Sequence, residues 1–456
     1  MVAFALVWLH VGIVAGSEVS GLHLDGANAV VHFGPNGECK LSLENGALSS
    51  NCPIVAPEMA PLPPGPPPVP PSIPPQPPLA PPGPPNLPPI PFSDHPVEFL
   101  DLGGSDRYSS GFSAGTYVYY APGHNTGKVV RIAKSDFTAS GVTYLDLTQA
   151  TGGTGFTGNA EGFSDGSYGY FPGRANGKLA RVLLSSFTLA DVSFLDLASV
   201  NAAYTGFVSG AIAGGFAYLT SSSTSSHIVR VDLNTFDAAG VDSIDLQPID
   251  ADAKGFNAIR IHDGYGYCVG GHNGAASHGK QVRFSLPDFP SSTVDIVDVD
   301  GVDGNTNLDG FGSGFIAGGF LWLVPYYGGG RHSGDAARIA LDNFAAAGVQ
   351  THDFAASDGN LKKFIGGFSD DTFAYFSPRG YKRVLRLPLS GQPADFTNEA
   401  SWQLNLETKS PPNTNSIREL SGAFTDGEFA YLIGGDYSYT LRFPVERHTP
   451  TFANHG

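Results

Sequence analysis

Residues 117–132 read Tyr-Val-Tyr-Tyr-Ala-Pro-Gly-His-Asn-Thr-Gly-Lys-Val-Val-Arg-Ile. Two runs of apolar and polar alternation flank a glycine-bearing loop, which predicts a pair of short antiparallel strands. The same phrase returns at 168–182 as Tyr-Gly-Tyr-Phe-Pro-Gly-Arg-Ala-Asn-Gly-Lys-Leu-Ala-Arg-Val. Altogether seven aromatic-x-aromatic pairs occur: Tyr117/Tyr119, Tyr168/Tyr170, Phe216/Tyr218, Tyr265/Tyr267, Phe320/Trp322, Phe373/Tyr375 and Phe429/Tyr431. They are spaced 48 to 56 residues apart. One arginine follows each pair (Arg131, Arg181, Arg230, Arg283, Arg338, Arg386, Arg442). A Gly-Phe two-step precedes most pairs. Most units continue through a phenylalanine to a short Leu-Asp-Leu-like run, as at 145–147 and 195–197.

Each unit therefore reads as four strands: A, glycine-rich; B, with the aromatic pair; C, with the arginine; D, the Leu-Asp-Leu run. Four strands at a period near 50 predict an all-β, seven-bladed β-propeller. Small residues suit strand A at the crowded axis, and aromatics suit strand B between blades. The repeat region opens with a D-type strand, Val97–Leu102, and ends on a C-type strand, Tyr439–Phe443. The opening strand is thus expected to complete the last blade and close the ring.

These copies resemble the YVTN, NHL and WD-repeat type of propeller over about three quarters of the chain. The Trp-Asp dipeptide of WD repeats is absent, as are the kelch and sialidase signatures. The resemblance implies a fold and no particular activity.

The propeller is expected over 93–447, with a tail over 448–456. Residues 57–92 form a linker; 20 of the 35 residues from Pro57 to Pro91 are proline. Such a run adopts extended polyproline II, about 3.1 Å per residue and roughly 110 Å in all. It resembles the spacers of algal hydroxyproline-rich wall glycoproteins of the pherophorin kind. Before it, residues 17–56 carry Pro-Asn-Gly and Glu-Asn-Gly turn signals between alternating runs, a small β segment. About 40 residues bury little core, so a Cys39–Cys52 disulfide is expected to staple it. Cys268, within Tyr-Gly-Tyr-Cys-Val, reads as a buried free thiol. The apolar run Val2–Val14, followed by Ala15 and Gly16, reads as a signal peptide over 1–16, placing the chain outside the cell or in a wall. It is short for a membrane span, and no stable membrane insertion is expected after cleavage.

The 456 residues carry 42 acids against 25 Lys and Arg, a net charge of −17. That excludes nucleic acid as the main partner, because such binding needs a basic footprint. Asp outnumbers Glu 31 to 11, and Asp favours turns where Glu favours helices.

In an up-and-down blade the A–B and C–D turns share one face, and the B–C and D–A loops share the other. The first set is monotonous here and the second varies, so a ligand site is expected on the second. The candidate ligand-binding residues are His272, His278, Tyr326, Tyr327, Arg331, His332 and Tyr381. The repeated arginines and the D-strand acids (Asp101, Asp146, Asp196, Asp245, Asp298, Asp353, with Asn405 the one departure) suggest one Arg–Asp pair per blade. The loop after blade 4 places side-chain oxygens on Asp300, Asp303, Asn305, Asn307 and Asp309, nearly every second residue, which suggests calcium. It departs from the EF-hand, with Leu308 at the turn glycine and Gly314 at the closing Glu. Two oddities lie in A strands: Glu161, a lone acid, and Ile259-Arg260-Ile261-His262 in place of the usual small residues.

No nucleophile elbow or phosphate loop is present. The expected function is therefore a secreted cell-surface or extracellular-matrix module binding a protein or glycan. The alternative is a propeller hydrolase or lyase with a calcium-assisted site. A pair of acids converging near the axis would favour the enzyme.

Overall fold

The computed structural model describes residues 91–445, apart from 105, 125, 159, 223–224, 371, 391–401, 410–418 and 436–438, and the backbone of four strands nearer the N-terminus. The chain divides into two compact units, Met1–Asn86 and Leu87–Gly456. In the first, Val19–Asp25, Asn28–Phe33, Gly37–Glu44 and Ala47–Ser50 form one antiparallel meander. The strands flank the two turn signals read from the sequence. Cys39 lies on the third strand, but its side chain and the whole of Cys52 lie outside the described residues, as do the signal peptide and the proline-rich linker.

The second unit holds seven four-stranded antiparallel sheets. It is a seven-bladed β-propeller. Blade 1 runs Tyr108–Ala114, Tyr117–Pro122, Lys128–Ala133, Val142–Asp146 from strand A to strand D. Blades 2 to 6 repeat this order, ending with Gln403–Asn405 as strand D of blade 6. Blade 7 takes Leu420–Thr425, Phe429–Gly434 and Tyr439–Pro444 from the C-terminal end, and its fourth strand is Glu98–Asp101. That strand pairs with its partner through Tyr439↔Asp101 and Arg442↔Glu98, so first and last strands lock one sheet. Among the described residues no helix is long and apolar enough to cross a membrane.

The core lies between blades. Strand B residues of each blade pack on the next blade, and strand A residues are small because a neighbouring ring fills their space. A Cβ on Gly210 would stand 2.1 Å from the Phe163 ring of the preceding blade.

The repeated arginines join blades by a means other than the one expected. Six of them lie between an aromatic of their own strand B and a phenylalanine that precedes strand D of the next blade. Arg181 sits over Tyr168 at 4.9 Å and Phe236 at 4.1 Å, and Arg442 over Phe429 at 4.3 Å and Phe137 at 4.6 Å. Arg386 uses Phe92 at 4.6 Å, which stands just before the closing strand as the others stand before theirs. Phe92 is fully buried, so the propeller framework begins there. Arg338 lies over Phe320 and Trp322 of its own blade.

The Leu-Asp-Leu acids are not the arginine partners. Strand register sets Arg181 opposite Ser193 and Asp196 opposite Lys178. Each acid instead caps the turn after strand D: Asp146 accepts from the Thr148 N–H at 3.0 Å and Asp353 from that of Ala355 at 2.8 Å. Asn405 does the same for Glu407 at 3.0 Å. A cap needs an oxygen, not a charge, which is why Asn serves in blade 6. Where an arginine does meet an acid, the acid lies directly across strand D, as Asp242, Asp295 and Glu98 do for Arg230, Arg283 and Arg442.

Candidate binding face and axial cavity

Seven A strands converge on a cavity of 740 Å³. Its wall is mostly Gly, Ser and apolar residues, with four charged groups: Glu161, Arg174, Arg260 and Arg379. Glu161 and Arg260, the two oddities of the A strands, meet there. Arg260 Nη1 and Nη2 donate to the two Glu161 oxygens at 2.8 and 3.0 Å. The remaining guanidinium hydrogens go to the Gly314 and Ile259 carbonyls (2.7 and 2.8 Å) and the Ser313 hydroxyl (3.1 Å). Ser209 donates to Glu161 at 2.5 Å. Burial pushes the Glu161 carboxyl up; the Arg260 guanidinium and the two serine hydroxyls outweigh it, and the net shift is downward. The pair thus braces blades 2, 3, 4 and 5 at the axis. About a quarter of each side chain still faces the cavity.

Above this floor lies the face built by B–C and D–A loops. Between strands B and C of blade 5, Tyr327–Gly328 and Arg331–His332 form a small extra hairpin. His332 lies 6.4 Å from the Tyr326 ring and 5.7 Å from the Tyr327 ring. Arg379 lies 5.9 Å from the Tyr326 ring and donates to Glu419 at 2.9 Å. Lys362 lies over Tyr381 at 5.0 Å. Burial depresses the His332 pKa, and the charges of Lys363 and Lys362 depress it further. Five of the seven candidate ligand residues, Tyr326, Tyr327, Arg331, His332 and Tyr381, therefore gather on the blade 5–blade 6 side.

The other two belong to blade 4. His272 is exposed, with Nδ1 accepting from the Gly274 N–H at 3.0 Å. His278 is buried, 2.8 Å from the Lys254 carbonyl through Nε2 and 3.2 Å from the Lys280 N–H through Nδ1. Both of its nitrogens serve the fold, which leaves none for a ligand.

The side chains of Asp303, Asn305 and Asp309 each have a partner within the fold. Asp303 accepts from Thr351 at 3.0 Å, Asp309 from the Gly329 N–H at 3.0 Å, and Asn305 donates to Asp335 at 2.8 Å while accepting from the Asn307 N–H at 3.0 Å. The Asp300 N–H donates to the Asp298 carboxylate at 3.1 Å. Among the described residues no group of three His, Cys, Asp or Glu side chains could hold a metal ion. In this structure turn and inter-loop hydrogen bonds engage the side chains of Asp303, Asn305 and Asp309. Cys268 is free and buried, and burial pushes its thiol pKa up.

No family model and no curated protein matches this sequence. Solved structures do. Virginiamycin B lyase from Staphylococcus aureus superimposes with a TM-score of 0.54 at 12% identity, covering 77% of this chain and 100% of its own. The WD40 repeats of RRP9 give 0.53 at 9%, covering 77% and 98%. YCF48 bound to D1 peptide gives 0.51 at 12%, covering 77% and 97%. The likeness is one of fold. At such identities it selects neither lyase nor peptide binder for this propeller.

The sequence showed Glu161 and Arg260 as separate anomalies 99 residues apart. Their common place in strand A was the signal that linked them. Lys362, Lys363 and Arg379 were missed. The available signal was charge: blade 6 carries Lys363 where blades 3, 4 and 5 carry Gly206, Gly255 and Gly310.

Proposed function

We propose that the chain is a secreted cell-surface or extracellular-matrix module whose propeller binds a protein or glycan ligand on the face of the B–C loops. The observation that carries this reading is the cluster of exposed and half-buried aromatics and cations around the blade 5 hairpin, beside the mouth of the axial cavity. Rigid strands present these loops, so little order need be gained on binding. The single axial carboxylate is engaged by Arg260 rather than paired with a second acid, which favours binding over acid–base hydrolysis. A Cys39–Cys52 bond in the N-terminal unit belongs to the same proposal.

The test is a glycan and peptide array with the purified chain and two tyrosine variants. Tyr327 and Tyr265 are equally exposed, at 41%, on opposite faces. Binding should fall in Tyr327→Ala and persist in Tyr265→Ala. Equal effects of the two, or none, would remove the loop face as the site.

A further inference from the structure

We propose that the blade 5–blade 6 side of the cavity mouth binds an acidic oligosaccharide, with carboxylate or sulfate groups on Arg331 and Lys362 and sugar rings against Tyr326 and Tyr327. This rests on the reading of the loop face as the binding face, and adds the ligand class.

Charge is the first argument. The chain as a whole carries −17, yet Arg331, Lys362, Lys363, Arg379, Lys382 and Arg383 gather in this sector. Two of its acids are ion-paired: Glu419 meets Arg379 at 2.9 Å and Lys363 at 3.8 Å, and Glu407 meets Lys382 at 3.6 Å. Asp353, Asp358 and Asp309 keep their charge while holding the N–H groups of Ala355, Asn360 and Gly329. Arg331, exposed on the hairpin, and Lys362 form no ion pair among the described residues. The cavity they flank adds Arg174 and Arg379 to a wall whose one carboxylate already holds Arg260.

Backbone geometry is the second. In blades 3, 4, 5 and 6 a residue leading into strand A accepts a hydrogen bond from a residue of the loop after strand B. Gly206 accepts from Ser222 at 2.8 Å, Gly255 from Gly271 at 3.0 Å, Gly310 from Tyr327 at 3.1 Å and Lys363 from Arg379 at 2.7 Å. The glycines have φ of 74°, 79° and 58°; Lys363 has φ of 58°. Only blade 6 of these four puts a side chain into that left-handed conformation, which L residues adopt at a cost. Phe187 and Phe236 hold the same conformation for packing, at φ of 51° and 49°, whereas Lys363 holds it beside the mouth with a side chain that is only half-buried.

The choice of sugar over peptide follows from what the surface presents. Peptides are recognised through a strand edge, a helix groove or a polyproline groove, and acidic ones through a cluster of arginines, which is why an acidic peptide is one arm of the test below. Among the described residues this patch offers ring faces and cationic heads. The hairpin strands are two residues each and already paired to one another. Flat rings beside fixed cations suit a chain of sugar rings bearing anionic groups.

The full chain should be titrated calorimetrically with four probes: an oligogalacturonate, a sulfated dextran fragment, a neutral dextran fragment of equal length, and octaglutamate. Binding is expected for one or both acidic sugars, weakening with salt, and the pair tells carboxylate from sulfate. The Arg331→Ala/Lys362→Ala variant should bind roughly tenfold more weakly at unchanged Tm. Lys363→Gly should weaken binding several-fold and raise Tm, because glycine removes the strain. Equal binding of the neutral fragment would overturn the acidic-ligand proposal and leave the binding face standing. Octaglutamate binding as well as the sugars, with the same sensitivity to Arg331, would make it a peptide site and overturn the sugar. No binding by either acidic sugar overturns the proposal outright, whereas failure of the array test above would remove the face itself.

Discussion

Arg181 shows how a repeated residue can be right in position and wrong in partner. The sequence showed one arginine and one aspartate per unit, and opposite charge made them a natural pair. Register decides otherwise, since Arg181 faces Ser193 and Asp196 lies three positions further along, on the other face of strand D. No loop length read from sequence fixes that register. The guanidinium is held between two rings, with Nη1 reaching the Leu233 carbonyl of the next blade at 3.4 Å. A desolvated cation–π contact contributes about 1–2 kcal/mol. Arg181→Met should therefore lower stability by about that much, read as a shift in urea midpoint at constant slope. A double-mutant cycle separates the partners: Arg181→Met should couple to Phe236→Leu and be additive with Asp196→Ala. Strong coupling to Asp196 would restore the ion-pair reading.

Elements were the most legible scale. Seven aromatic pairs gave seven blades, and the offset of strand types gave the closing strand, because alternation and turn residues are local signals that the ring does not alter. What the local pattern could not supply is the meeting of distant A strands. Glu161 and Arg260 stood out only as departures, since the axis that joins them is a product of closure. The N-terminal boundary was also blurred. Phe92 plays a closing-phenylalanine role, packing 5.8 Å from Phe443 and 5.9 Å from Tyr375, but it directly follows the proline-rich run. The element-level prediction is a truncation series. A chain beginning at Pro91 should unfold in one cooperative transition. A chain beginning at Gly103 lacks Phe92 and Glu98–Asp101, leaves the Tyr439–Pro444 strand as an open edge, and should aggregate or lose its near-ultraviolet circular dichroism. Equal melting of the two chains would show that the closing strand is dispensable.

For the whole molecule, acids and histidines set how stability depends on pH. The buried His278 and half-buried His352 have pKa values depressed below 6.5, by burial in the first place. Lys280 lowers that of His278 further, while the Lys254 carbonyl and Asp298 raise it. Protonating His278 at Nδ1 would also break the hydrogen bond it accepts from the Lys280 N–H. A depressed histidine stabilises the fold fully above its unfolded value near 6.5, and that contribution is lost as pH falls through the window below. Glu161, Asp245, Asp250 and Asp426 are likewise depressed, so their contribution is complete above about 4.5 and lost on further acidification. Asp309 runs the other way, raised chiefly by burial, and offsets a little of the acid loss. The urea midpoint should thus be level from pH 8 to about 6.5, decline by on the order of 1 kcal/mol toward pH 5, and drop steeply below 4.5. His278→Gln keeps a donor for the Lys254 carbonyl and cannot be protonated, so it should flatten the first decline and leave the second. A wild-type midpoint that stays level down to pH 5, or a first decline that persists unchanged in His278→Gln, would remove the buried neutral imidazole as its cause.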